Sequence, residues 1–112
     1  GRNDSHISTR ANVKELMSSI PDSLPVVLLD HRPSEIKQIA GTKADILLSG
    51  HTHNGQMFPI NLITGKVYDL SMGYRKFGNT HVFVSSGIRL WGLPVRTTGK
   101  SEIMVVNIRF AR

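Results

Sequence analysis

Three of the five histidines sit where chemistry is expected. His31 follows the apolar run Val26-Val27-Leu28-Leu29 and Asp30, and His51 and His53 follow Ile46-Leu47-Leu48-Ser49-Gly50. Imidazole in its neutral form ligates zinc, manganese, iron and nickel. The His51-Thr52-His53 spacing carries a further hint. In an extended chain these two rings face the same way, whereas in a tight loop they splay, and a splayed pair suits two neighbouring cations ~3.5–4 Å apart better than one. Gly50 permits a sharp turn after the strand, and Asn54-Gly55 is a turn pair.

The elements around these residues decide whether the rings can meet. Ser8 or Thr9 is expected to cap a helix running to about Ser19, with Val13, Leu16, Met17 and Ile20 as its apolar stripe, ended by Pro21 and Pro25. Residues 26–29 read as a strand buried on both faces, Pro33 opens a short helix that Gly41 stops, and 46–48 form a second buried strand. The intervening segment is long enough for a parallel crossover. Both strands then finish at one sheet edge, and ligands of open α/β sheets bind outside that edge. The three imidazoles should therefore converge, although 22 positions separate His31 from His53.

Carboxylates are scarce there. Asp45 opens its strand at the far end of the sheet. Asp30 adjoins His31 but should point to the opposite sheet face, where it would orient or neutralise a neighbour. Downstream, residues 50–59 form a polar loop and 60–70 are ambiguous between strand and helix. Residues 80–85 and 102–109 read as strands, separated by a Gly- and Pro-containing loop from Ser86 to Gly99. The fold class expected is α/β, a βαβ unit followed by mostly antiparallel strands.

With 112 residues, 39% apolar and 20% charged, the chain is one soluble globular unit, too short for an eight-stranded barrel. There is no cysteine, so disulfides and thiolate sites are excluded. No apolar run approaches ~20 residues, and no signal peptide is visible. A start at Gly1 suggests a piece cut from something longer. The charge of +6 suits anionic partners, so the competing reading is a non-catalytic basic module binding nucleic acid or another anion. No specific nucleic-acid motif or stacking aromatic array supports it. A histidine-triad hydrolase fails because Gly55 stands where a third alternating histidine belongs. His6 and His81 read as ordinary exposed or half-exposed residues. Arg89 and Arg96 flank a loop expected to pack on Trp91, with phosphate binding the other possibility. Asn54 and Gln56 either donate near the site or only shape the turn.

Asp-Ile-Leu-Leu-Ser-Gly-His-Thr-His-Asn-Gly-Gln (45–56) resembles the Gly-His-x-His-Gly-Gln signature of calcineurin-like metallophosphoesterases, with Asn54 where glycine is commoner. Residues 26–33 look like the family's preceding strand and His-x-Pro. Val84 to Gly87, Leu93 to Arg96 and Glu102-Ile103 fit its tail, and Gly1 to Asp4 look like the stretch after its Asn-His-Asp signature. The resemblance implies that His31 and His51 bind one divalent metal and His53 a second, of the Mn, Fe or Zn class, with a metal-bound hydroxide attacking a phosphomono- or diester. It also implies that residues 1–112 are the C-terminal portion of the domain, half of a four-layer α/β/β/α sandwich. The family's Asp-x-His, Gly-Asp-x-x-Asp and Gly-Asn-His-Asp signatures are absent. The fragment alone is thus expected to be inactive, to lack its N-terminal half-domain and to self-associate through exposed sheet surfaces. Relatives sometimes carry upstream membrane helices, which leaves a cytoplasmic or membrane-anchored parent equally open.

Overall fold

The computed structural model describes residues 1–109. Its helices and strands follow in the order α1 (Val13–Ser18), β1 (Val27–Leu29), α2 (Ile36–Ala40), β2 (Ile46–Ser49), α3 (Ile60–Val67), β3 (Gly73–Phe77) and β4 (Thr80–Val84). A short 3-10 turn, His53–Gly55, lies between β2 and α3. One mixed sheet runs in the order β1-β2-β4-β3. The α/β class and the βαβ unit are as expected. β1, β2 and β4 are mutually parallel and only the β3–β4 hairpin is antiparallel.

Helix α1 begins later than the Ser8 or Thr9 cap predicts. The side chain of Asn12 accepts the Lys14 amide at 2.8 Å and supplies the cap instead. Its buried residues, Val13 and Met17, reach a core made with Leu28, Ile36, Ile39, Leu47, Val82 and Val84. Residues 60–70 resolve mainly as helix α3. β3 was hidden by its surface chemistry: Tyr74, Arg75 and Lys76 are all exposed, so the strand lacks an apolar signal. The strand expected at 102–109 does not form a ladder. Glu102 instead is tied to the Ser86-Gly87 backbone, its carboxylate accepting the Ser86 amide at 2.8 Å, and Ile103 and Val105 are exposed.

The larger correction concerns the strands read as buried on both faces. Only one face is fully covered. Across the other runs the row Leu29–Leu48–Phe83–Tyr74, joined register by register through all four strands. On β1, Val27 and Leu29 are 43% and 54% exposed. The apolar runs are two-sided strands whose second side is only partly covered: Leu48 and Phe83 are half-buried, and residues 106–109 lie beside Val27, Ile46 and Phe83.

At the far edge of β1, a buried charge cluster joins the first ten residues to the sheet. Arg2 pairs with β1 through its amide to the Leu29 carbonyl at 2.9 Å. Asp30 is buried and accepts two parallel bonds from the Arg10 guanidinium, both 2.9 Å. Arg2 lies 3.7 Å from the same carboxylate and also bonds Glu35. Asp30 therefore faces away from the histidines, as its place on the strand requires, and serves to neutralise two arginines. The Arg2 bond, with help from Arg10, holds the Glu35 carboxyl below its ordinary range. Its stabilising effect is thus present above the usual glutamate pKa and declines as pH falls below it. Removing the central acid strands buried guanidinium charge. Asp30→Ala should destabilise the fold by about 3–5 kcal/mol, read as a lower urea midpoint. A loss under 1 kcal/mol would show that the cluster is solvated.

Candidate metal centre

Convergence of the histidines is a consequence of strand pairing. Leu29 of β1 is in parallel register with Leu48 of β2. Beyond the strands the ladder continues with the Asp30 amide to the Leu48 carbonyl and the Gly50 amide to the His31 carbonyl, both at 3.1 Å. The two chains leave the sheet side by side. Nε2 of His31 then stands 3.0 Å from Nδ1 of His51, their rings edge to face. At that distance one nitrogen donates and the other accepts.

A carboxylate completes this group. Asp4 lies 3.5 Å from His31 Nε2, and one donor atom from each of Asp4, His31 and His51 falls within 4.8 Å of the others. The acids adjoining the two strands in sequence are Asp30 and Asp45, and neither is the one that reaches the histidines. The only signal of Asp4 is its place in Gly1-Arg2-Asn3-Asp4. The pairing of Arg2 with β1 is what carries this stretch to the sheet edge. Asp45, as expected, is elsewhere, accepting the Val26 amide at 2.7 Å.

The electrostatics favour a ligand. The His6 amide, and with it the Arg32 guanidinium at 3.1 Å, bring the Asp4 carboxyl down to about 2, so it is ionised at any ordinary pH. Burial, reinforced by the positive charge of Arg32, lowers the pKa of His51 and keeps its ring neutral near pH 7, the form that ligates.

His53 does not belong to this three-residue group but lines the same cleft of about 840 Å³. Its Nδ1 is shielded from solvent and has no hydrogen-bond partner among the described residues. A buried nitrogen without a partner is unfavourable unless something absent from the protein chain meets it. The loop holding these rings is bent, not extended. His51, His53, Asn54 and Gln56 all have positive φ, a conformation that L residues adopt at a cost. Gly55 is required on steric grounds, since a Cβ there would lie 2.4 Å from the Asn61 backbone. Thr52, between the histidines, is buried and donates to the Ser71 carbonyl at 2.6 Å.

The residues after the histidines act structurally. Gln56 is buried. Its Oε1 accepts the Trp91 amide at 2.6 Å, and its Nε2 donates to the carbonyls of Trp91 and Leu93 at 2.8 and 2.9 Å. Its own carbonyl accepts the Thr97 and Thr98 amides. The 86–99 loop is therefore fastened to Gln56 and not packed on its tryptophan, which is 74% exposed. Arg96 turns toward the Ser86 and Lys100 carbonyls. His6 is exposed at the cleft, and His81 hydrogen-bonds Tyr74 across the hairpin at 2.9 Å.

Imidazoles with a carboxylate form a donor set suited to zinc, manganese or iron, and the Nδ1 of His53 stands without a partner among the described residues. Comparison with known proteins agrees with this chemistry. No family model matches the chain, and no solved structure does. A metallophosphoesterase of Helicobacter pylori is 34% identical over 99 residues, 87% of this chain and 27% of that protein. A Bos taurus transmembrane protein with a metallophosphoesterase domain is 38% identical over 101 residues, 88% of this chain and 22% of its own length. A Bacillus subtilis metallophosphoesterase is 35% identical over 99 residues, 83% and 34% respectively. The chain thus spans roughly a fifth to a third of the length of these relatives, which it resembles over most of its own length. On that shared stretch, the chain belongs to the metallophosphoesterase family.

Proposed function

We propose that this chain provides the histidine side of a phosphoesterase centre that hydrolyses phosphomono- or diesters, the remaining ligands coming from a preceding part of a longer protein. The observation that carries the reading is the meeting of His31, His51 and ionised Asp4 in one cleft with the unpartnered His53 nitrogen. Two divalent cations, when bound, would acidify a water and screen the phosphate charge. The chain's own residues divide the rest. His31 and His51 hold one cation through ring nitrogens, and His53 offers its nitrogen to the other. Arg32 keeps a fixed positive charge beside the cleft and, through Asp4, stays oriented within it.

The same proposal accounts for the bare sheet face, which would receive the rest of the domain. No described helix is long and apolar enough to cross a membrane, and any membrane attachment of a longer parent is a separate matter.

Calorimetry with Mn2+ tests the metal reading directly. The chain should bind weakly, and His31→Ala or His51→Ala should weaken binding at least tenfold. His53→Ala should weaken it less, because its nitrogen is assigned to the other cation. Equal binding by all three variants would refute histidine ligation. Because the folded pKa of His51 lies below its ordinary value, protons compete for that ring only in acid. Mn2+ should be held at pH 7 and released as pH falls through about 6 and below; undiminished binding at pH 5 would contradict it. Without the rest of the domain, the open face should pair with a second copy. Light scattering at high concentration is expected to show a mass above that of a monomer, and a monomer throughout would count against the half-domain reading.

A further inference from the structure

The cleft has two unlike ends. One carries His31, His51, His53, Arg32 and Asp4; the other is walled by Met57, Ile60, Tyr68, Trp91 and Leu93. The apolar wall comes from two segments, helix α3 and the 86–99 loop. Gln56 fixes their relation by gripping the Trp91 and Leu93 backbone, and the Phe58 amide adds a bond to the Thr97 hydroxyl at 2.9 Å. With the backbone held inward, the Trp91 and Leu93 side chains are left outward, 74% and 63% exposed. Helix α3 has no buried residue, and of its exposed apolar side chains Ile60 is the one that lines the cleft. Exposed apolar surface on this scale marks a binding site.

Charge points to the chemistry of what binds. Residues 54–68 and 86–101 contain Lys66, Arg89, Arg96 and Lys100 and no aspartate or glutamate. Lys66, Arg89 and Lys100 make no ion pair among the described residues. These cations surround the segments without lining the cleft, whose own fixed positive charge is Arg32; an apolar wall with a tryptophan, continuous with that charge, complements an anionic amphiphile. A nucleoside would need hydrogen-bonding groups for its base, and this wall offers chiefly aliphatic and aromatic surface. A protein segment laid over the wall would close the opening through which any ligand reaches the histidines.

We propose that the cleft takes a phosphate ester of a long apolar chain, with the phosphate at the imidazole and Arg32 end and the chain along Ile60, Trp91 and Leu93. The phosphate half of this assignment rests on the phosphoesterase reading; the apolar half stands on the wall itself.

The test is binding of hexyl, octyl and decyl phosphate to the chain in Mn2+, each kept below its micellar concentration, with inorganic phosphate as reference. Trp91, the chain's single tryptophan, reports contact through a blue shift of its emission, and calorimetry gives the affinities. Affinity should rise up to about fourfold per added methylene, the increment for a fully buried CH2 group. Leu93→Asn and Ile60→Asn, at positions 63% and 41% exposed and each first checked for an unchanged urea midpoint, should flatten the series while leaving inorganic phosphate unaffected. Affinities equal to that of inorganic phosphate across the series would overturn the proposal. So would a chain-length dependence that survives both substitutions, because the tail would then lie elsewhere. Chain-length dependence in the absence of any Mn2+ or phosphate binding would remove the phosphoesterase reading and keep the apolar wall.

Discussion

The site depends on the parallel pairing of β1 with β2 and its continuation past both strand ends. Two peptide hydrogen bonds, from Asp30 to Leu48 and from Gly50 to His31, keep the departing chains side by side. Without them His31 and His51 would belong to unrelated loops. With them, two ring nitrogens from residues twenty positions apart in sequence stand 3.0 Å from one another. The core serves this register: Leu28 and Leu47, paired on the covered face, are buried against α1 and α2 side chains. Packing on one face thus sets the chemistry at the edge.

Holding the second histidine requires less favourable conformations. Four non-glycine residues between His51 and Gln56 take positive φ, each at a cost of order 1–3 kcal/mol at most. The surroundings over-determine them. Thr52 is bonded to Ser71, Gly55 is pressed against the backbone of α3, and Gln56 is fastened at both ends of its amide. Strain concentrated in the segment that presents His51 and His53, and braced from three sides, is what a preformed ligand loop requires. The Arg2, Arg10, Asp30 and Glu35 cluster is a brace of another kind. It seats the first residues against β1 and so brings Asp4 to the cleft.

The histidine positions were legible because the argument needed only strand ends, and apolar runs followed by polar turns mark those well. The opposite-facing Asp30 was legible for the same reason, from the alternation of side chains along a strand. Asp4 was not, because a ten-residue polar stretch carries no periodicity and its placement depends on a long-range bond between Arg2 and Leu29. The role of Gln56 is not legible from its neighbours, since both of its partners lie about 35 residues downstream. β3 escaped notice because an edge strand with Arg75 and Lys76 outward looks like a loop. The 102–109 run failed in the opposite direction. Its apolar run from Ile103 to Val106 is a strand pattern, but a strand also needs a neighbour, and none pairs with it among the described residues.

Charge supplies the strongest reason to read the centre as part of a larger one. A pair of divalent cations carries four positive charges into a cleft that already holds Arg32. Against these the described residues offer one carboxylate in the group, Asp4, and that carboxylate is already bonded to Arg32. Neutral imidazoles donate electron pairs and leave the charge uncompensated. Cations brought together at a few ångströms without bridging anions repel strongly in a partly desolvated cleft. Under the proposed dinuclear reading, further carboxylates must therefore come from outside residues 1–109. The sheet makes the same demand in the currency of apolar surface, since on the face opposite the core Leu29 and Tyr74 are exposed and Leu48 and Phe83 only half-buried. A single additional layer, bringing acids to the edge and apolar side chains to the face, would satisfy both.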